Sequence, residues 1–188
     1  MHDPDNEEKI HTAREVAERA LVLQGLCFVA HQEISRLTAI TWLKAEGVWS
    51  AVAPSERRFF EKLDLTQQDI VDATWRAEAL WTLLWALGKI DELSAPCGTA
   101  DVQHMVELMP RPSAAAGPFL QSAQLRSGSE IYEACDDILD IHWAVRDACL
   151  NNRDIPNGYH PGVVRERHFA LNWLTYYDDE WDEITTDT

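Results

Sequence analysis

No run of alternating apolar and polar residues in this chain is long enough for a strand, so helix is the only regular structure its pattern supports. Glycine and proline are sparse, eight of each in 188 residues, which argues against a repetitive β fold and against disorder. No apolar stretch reaches the roughly 20 residues of a membrane span. No GxSxG, no glycine-rich phosphate loop and no cysteine with an evident histidine partner occurs, so the common signs of nucleophilic catalysis are missing. The four cysteines, Cys27, Cys97, Cys135 and Cys149, form no CxxC pair. Three of them lie in apolar helical patterns and read as buried free thiols rather than bridges or zinc ligands. Positive charge is short too: 16 Lys and Arg against 32 Asp and Glu leave a formal net charge of −16. A field of that sign repels nucleic acid, keeps a protein soluble and attracts a basic protein partner. The first residues, MHDPDNEEK, are acidic and polar, the wrong composition for a secretory leader, so the expected location is cytoplasmic.

What is abundant is tryptophan, eight in all, three of them in residues 66–88, TQQDIVDATWRAEALWTLLWALG. At about 100° per residue, Ile70, Ala77, Trp81, Leu84 and Trp85 fall on one side of this helix and Leu80, Leu83 and Leu87 on another. A helix apolar on several sides is packed on several sides, so 66–88 is expected at the centre of the fold. Arg76 and Glu78 are the only charges between Asp72 and Lys89, and each needs a partner from another helix.

Around that centre the pattern predicts a helix over 7–31, a shorter one over 35–46 closed by Gly47, and one after Pro54 capped by Ser55. Thr66 with Asp69 caps the central helix. Thr99 or Asp101 opens a modest helix before Pro110, the 110–118 stretch is a loop, and a short helix covers 118–125. Two long helices follow, 130–151 opened by Ser129 and 162–177 opened by Pro161. The expected fold is therefore all-α: one domain over 1–188, an irregular bundle of about six to eight helices. Acidic segments at 1–7 and 178–188 flank it, the second anchored by Trp181.

Candidate site residues come from polar groups on apolar faces. Arg167 sits in the middle of the last helix's broad apolar face, with Glu78 and Asp137 as candidate partners. His142 lies in the apolar arc of 130–151, with Asp137 and Arg146 at its borders. Glu166, His168 and Asn172 lie at or beside the face that carries Arg167. Together with Arg76 these nine residues form either a buried ion-pair and hydrogen-bond network or the lining of an inter-helix pocket. Asp136, Asp137 and Asp140 also match a DDxxD pattern, whose carboxylates share a helix face and suit Mg²⁺. A solvated acidic face is the competing reading, since no second metal motif and no basic cluster accompanies it. No metal and no cofactor is expected.

With those motifs laid out, the chain resembles a bacterial family of domains of unknown function marked by an ALNWL signature. The stretches that carry the resemblance are WLKAEGVWSAVAPSERRFF (42–60), WRAEALWTLLWALG (75–88), SEIYEACDDILDIHWAVRDA (129–148), VVRERHFALNWL (163–174) and WDEITTDT (181–188). This chain departs at Leu139-Asp140, where the family pattern has an aromatic-Arg pair ahead of His142-Trp143. The resemblance implies a single all-helical domain and brings no activity, cofactor or catalytic residue. The expectation for function is a non-enzymatic protein acting through protein–protein contacts, with neutralisation of a basic partner as one version. The alternative is a small-molecule binding protein or enzyme whose pocket is lined by Arg76, Glu78, His142, Arg167 and His168, with Trp81 and Trp85 as walls. The oligomeric expectation is a monomer, or a homodimer that buries some of the tryptophans.

Overall fold

A computed structural model describes residues 9–188, so the acidic 1–7 segment lies outside the described residues. Eight α-helices occur in the order α1 (Ala13–Ala30), α2 (Arg36–Ala45), α3 (Pro54–Glu61), α4 (Gln67–Ala86), α5 (Val102–Leu108), α6 (Gly117–Gln121), α7 (Gly128–Leu150) and α8 (Pro161–Leu174). Short 3₁₀ turns follow at Trp49–Ala51, Pro156–Gly158 and Trp181–Glu183, and no strand is found among the described residues. The all-α reading holds. None of these helices is long and apolar enough to cross a membrane.

The helix ends follow from their caps. Thr12 accepts the Glu15 N–H, and Glu15 accepts the Thr12 N–H at 2.8 Å, so α1 begins at Ala13 rather than at the expected residue 7. Ser35 caps α2, and the chain leaves it through Gly47 at φ +74°, a left-handed position that glycine adopts without strain. Thr66 and Asp69 form the capping box of α4 as anticipated. Two further starts differ from expectation. Pro54 is the first residue of α3, and Glu56 takes the Ala53 N–H at 2.8 Å. Ser55 is therefore not the cap; its N–H and hydroxyl both go to Asp182 of the tail, at 2.7 and 2.5 Å. The capping box of α7 is Ser127 with Glu130, two residues ahead of Ser129. At the other end, α8 stops at Leu174, because Tyr176 turns left-handed (φ +53°) and the Tyr177 N–H closes on the Asn172 carbonyl at 2.9 Å. The expected 118–125 helix is the shorter α6.

Packing runs as a sequence of contacts, α1 on α4, α4 on α8, and α8 on α7. The helix expected at the centre, α4, does lie inside, and α1 is wrapped as completely, being buried at every position from Arg19 to Ala30. Trp42, Trp85, Trp173 and Trp181 are core residues, while Trp143 is 60% exposed. All four cysteines are free; Cys27 is buried, Cys135 half-buried, and Cys97 and Cys149 exposed, so the expectation of a buried thiol fails at Cys149. It sits at the edge of the apolar arc of α7, where the helix has no neighbour to cover it.

The junction of α4 and α8 is unusually close. A β-carbon at Gly162, in the first turn of α8, would stand 2.7 and 2.8 Å from ring atoms of Trp75. Helix propensity favours Gly162→Ala by about 1 kcal/mol, whereas the clash costs about 1–3 kcal/mol. The expected result is net destabilisation in a chemical melt of Gly162→Ala. In a Trp75→Val background the same change becomes neutral or stabilising, and a destabilisation that persists there would place the clash elsewhere.

Candidate functional site

Three consecutive residues of α8 carry most of the polar chemistry of the interior. Glu166, Arg167 and His168 are 6%, 2% and 2% exposed, and at 100° per residue they fan out toward different neighbours. Glu166 accepts from the Arg76 guanidinium of α4 at 2.9 Å. Arg76 also lies 4.5 Å from the Phe169 ring centre and 5.8 Å from that of Trp181. Arg167 faces Glu78 of α4, its Nε 3.9 Å from the carboxylate, and it donates through Nη1 to the Ser94 carbonyl. His168 meets His142 of α7, Nδ1 to Nδ1 at 2.8 Å, so one ring donates and the other accepts. One turn on, Asn172 donates to the Thr185 carbonyl at 2.9 Å and receives the Cys135 thiol at 3.7 Å.

Seven of the nine candidate residues thus meet in a seam with α8 as its middle member. Asp137 and Arg146 do not join it; both are exposed on α7. The helical arc places them at its borders, and the borders face water. Asp136 and Asp140 are exposed as well, and the described residues hold no group of three or more His, Cys, Asp or Glu placed for a metal ion.

The electrostatics follow from burial. Glu78 is 2% exposed, and desolvation pushes its carboxyl above the usual range, against the Ala100 N–H, which donates to it at 2.6 Å, and Arg167. Glu166 is raised for the same reason, against Arg76 and Arg165. Burial lowers Arg167 from its very high ordinary value, and the guanidinium stays charged. Burial, then the neighbouring His142, push His168 down to about 4, with Asn172 opposing. His142 is lowered by burial and by Arg146 and Arg165. Both shifts favour the neutral imidazole near pH 7, and the mutual hydrogen bond needs one of the two Nδ1 atoms unprotonated.

Of the residues expected to line one pocket, Arg76 borders a cavity of ≈ 480 Å³ with Trp75 and His160. Arg167 and Trp85 border a different one of ≈ 370 Å³, between α7 and the 91–96 segment. Asp137, absent from the seam, is on the rim of that second space.

Other buried polar residues escaped the sequence reading. Arg19 of α1 is 3% exposed, donates to the Ala51 carbonyl at 2.9 Å, pairs with the buried Glu56, and lies 4.6 Å from the Trp181 ring centre. His11 is stacked between Trp173 and Tyr176, with ring centres 4.0 and 3.9 Å away. His11, Arg19, Trp173 and Trp181 border a cavity of ≈ 640 Å³, but both ring nitrogens of His11 are sealed from it. Arg19 stands among Arg14, Glu15 and Glu18, which disguise it as part of a solvated face. The spacing of Arg19 from Val16 and Leu23 was the signal that could have found it.

The family model of a domain of unknown function, DUF4272, matches residues 2–184. The chain belongs to that family. No curated protein and no solved structure matches it. In this DUF4272 chain the resembling motifs coincide with the seam: Arg76 and Glu78 in one, His142 in another, Glu166 to Asn172 in the third, and Trp181 to Thr185 in the tail.

The histidine pair makes acid stability testable. A histidine whose folded pKa lies below its unfolded value binds protons preferentially in the unfolded chain, so its contribution is complete above about 6.5 and is lost as pH falls toward about 4. His168 alone supplies a slope of up to about 1.4 kcal/mol per pH unit in that window, and Glu78 and Glu166, raised, act in the opposite sense above 4.5. Urea melts between pH 7.5 and 4.5 should show His168→Gln less stable at neutral pH and with a flatter acid limb than the parent. Parallel limbs would mean that His168 titrates normally.

Proposed function

We propose that this protein acts by binding, and that it docks a basic amphipathic helix of a partner protein on the outer side of α7. The supporting observation is an apolar stripe left uncovered there. Leu139, Trp143 and Leu150 are 42%, 60% and 76% exposed, and at 100° per residue they fall within about 40° of one another, with Arg146 beside them. A single exposed leucine is ordinary, but a tryptophan aligned with two leucines on one helix face is the form of a helix-docking surface. Next to the stripe on the same helix stand Asp136 and Asp140, exposed and with no partner in the protein. They supply the charge for the Lys or Arg residues that flank the apolar side of such a partner, and the net charge of −16 steers it in. A second copy of the chain is disfavoured at this face by the repulsion of two surfaces so charged. The seam, closed by its own ion pairs and hydrogen bonds, holds α7 in place behind the stripe.

The test compares the parent with Trp143→Glu as bait in an extract of the native source, over a salt series. The expected result is one basic protein retained by the parent, weakened by salt, and retained at least about tenfold less by Trp143→Glu, a loss of about 1.4 kcal/mol or more. Thermal melts of the two baits should coincide. Recovery of the bait alone, or equal capture by both baits, would contradict this function. Concentration-dependent dimerisation abolished by Trp143→Glu would assign the face to a second copy instead.

A further inference from the structure

The ≈ 370 Å³ cavity between α7, the 91–96 segment and Arg167 has a composition that the seam does not explain. Its buried end is the Arg167 guanidinium. Nη1 is used by the Ser94 carbonyl, and Nε is sealed and without a hydrogen-bond partner. Nη2 also has no partner in the protein, and it is not among the sealed atoms. An arginine 2% exposed with a donor unspent and open to a cavity is poised for an acceptor from outside. Glu78 does not fill that role: its carboxylate is tied to the Ala100 N–H and stands 3.9 Å from Nε.

The rest of the lining is of two kinds. Trp85, Leu93, Pro96, Ala134, Ile138 and Ile141 form apolar walls. At the rim the other arginine, Arg126, has four of its five donors engaged, by the carbonyls of Trp85, Ile90 and Asp91 and by the Glu130 carboxylate, which also balances its charge. That leaves the carboxylates of Asp91, Glu92, Glu133 and Asp137, all exposed and without a cation of their own. A purely anionic ligand would meet four negative charges on entering, and a purely cationic one would leave the Nη2 donor of Arg167 unused. We infer that the cavity is a binding site for a small zwitterion of the amino-acid class, with its carboxylate on Arg167, its apolar body against Trp85 and Ile138, and its ammonium at the Glu133 and Asp137 rim. The volume is at the small end of ligand pockets, which suits a molecule of that size. This site is independent of the outer face of α7, whose stripe points away from the cavity.

The test uses three probes that differ only in their ends: 6-aminohexanoate, hexanoate and hexylamine. Each is titrated into the full chain by calorimetry, with the side-chain Nε–H resonance of Arg167 followed by NMR and assigned through its own side-chain carbons in isotopically labelled protein. The expected result is saturable binding of 6-aminohexanoate with a shift of the Arg167 resonance, and at least about tenfold weaker binding of the other two, the equivalent of one charge-assisted contact. Because Arg167 variants risk unfolding, the discriminating variant is Glu133→Gln with Asp137→Asn, both exposed and unpaired. It should keep the parental melting temperature and lose 6-aminohexanoate binding about tenfold. Binding of hexylamine equal to that of 6-aminohexanoate would reduce the site to an acidic rim, and equal binding of hexanoate would remove the rim's role. No saturation with any probe, or no movement of the Arg167 resonance, would overturn the inference.

Discussion

A guanidinium that keeps its charge in the interior must be met by a carboxylate, and the placing of α8 depends on that requirement. Arg167 is set among Val163, Val164, Ala170, Leu171 and Leu174, all fully buried, so α8 cannot enter the core without carrying the charge in. Removing one member of such a pair typically costs 3–5 kcal/mol, because the survivor is left buried and alone. Glu78 on α4 meets Arg167, Glu166 meets Arg76 two residues earlier on α4, and the two contacts run with opposite sense. Each helix thus contributes one cation and one anion, in reciprocal order. A slide of either helix by one turn, about 5.4 Å, would break both pairs at once. Apolar packing alone tolerates such slides more readily, so the pairs act on register more than on net stability.

The same arithmetic recurs close by. Arg19 and Glu56 form a second buried pair, and it is the tail, not a helix, that closes over it. Trp181 covers Arg19 and approaches Arg76, linking the two pairs through one ring. Asp182 then takes the N–H and hydroxyl of Ser55 in the first turn of α3, and the Thr185 carbonyl receives Asn172 from α8. An acidic tail on a protein of this charge would ordinarily be repelled. It stays because its few apolar residues, Trp181 and Ile184, are buried and one of its carboxylates is spent at a helix N-terminus, where negative charge is favoured.

Much of this was legible in advance, for a definite reason. A charge on an otherwise apolar helix is conspicuous, so Arg76, Glu78 and Arg167 stand out, and of the two partners that periodicity offers Arg167, Glu78 and Asp137, it is Glu78 that lies beside it. Charge that is buried among other charges is not conspicuous. Arg19 follows Arg14, Glu15 and Glu18, and Glu56 precedes Arg57 and Arg58, so neither stands out from its charged neighbours. Border positions were ambiguous for a related reason. Asp137 and Arg146 lie at the edges of the apolar arc of α7, and only the presence of α8 on one side decides which edge is covered. His142 and His168 can be grouped from the sequence as a candidate metal or acid/base set across helices, but a direct ring-to-ring hydrogen bond cannot be read there. Each ring was visible on its own helix, but a neutral donor–acceptor pair leaves no charge pattern to read.

The seam and the cavity beside it are one design seen from two sides. Glu166, His142, His168 and Asn172 each spend a polar atom on a neighbouring helix or on the tail, and those contacts lock the structure. Arg167 differs because a guanidinium has five donors and its two neighbours, Ser94 and Glu78, engage only part of them. An acceptor arriving through the cavity would therefore compete with little, and would add a charge-assisted contact where the protein has left one unmade. Lysine at this position would serve the latch through a single point charge but would offer no second edge to the cavity. The choice of arginine on the apolar face of α8 makes physical sense if the residue works in both directions, inward to hold register and outward to bind.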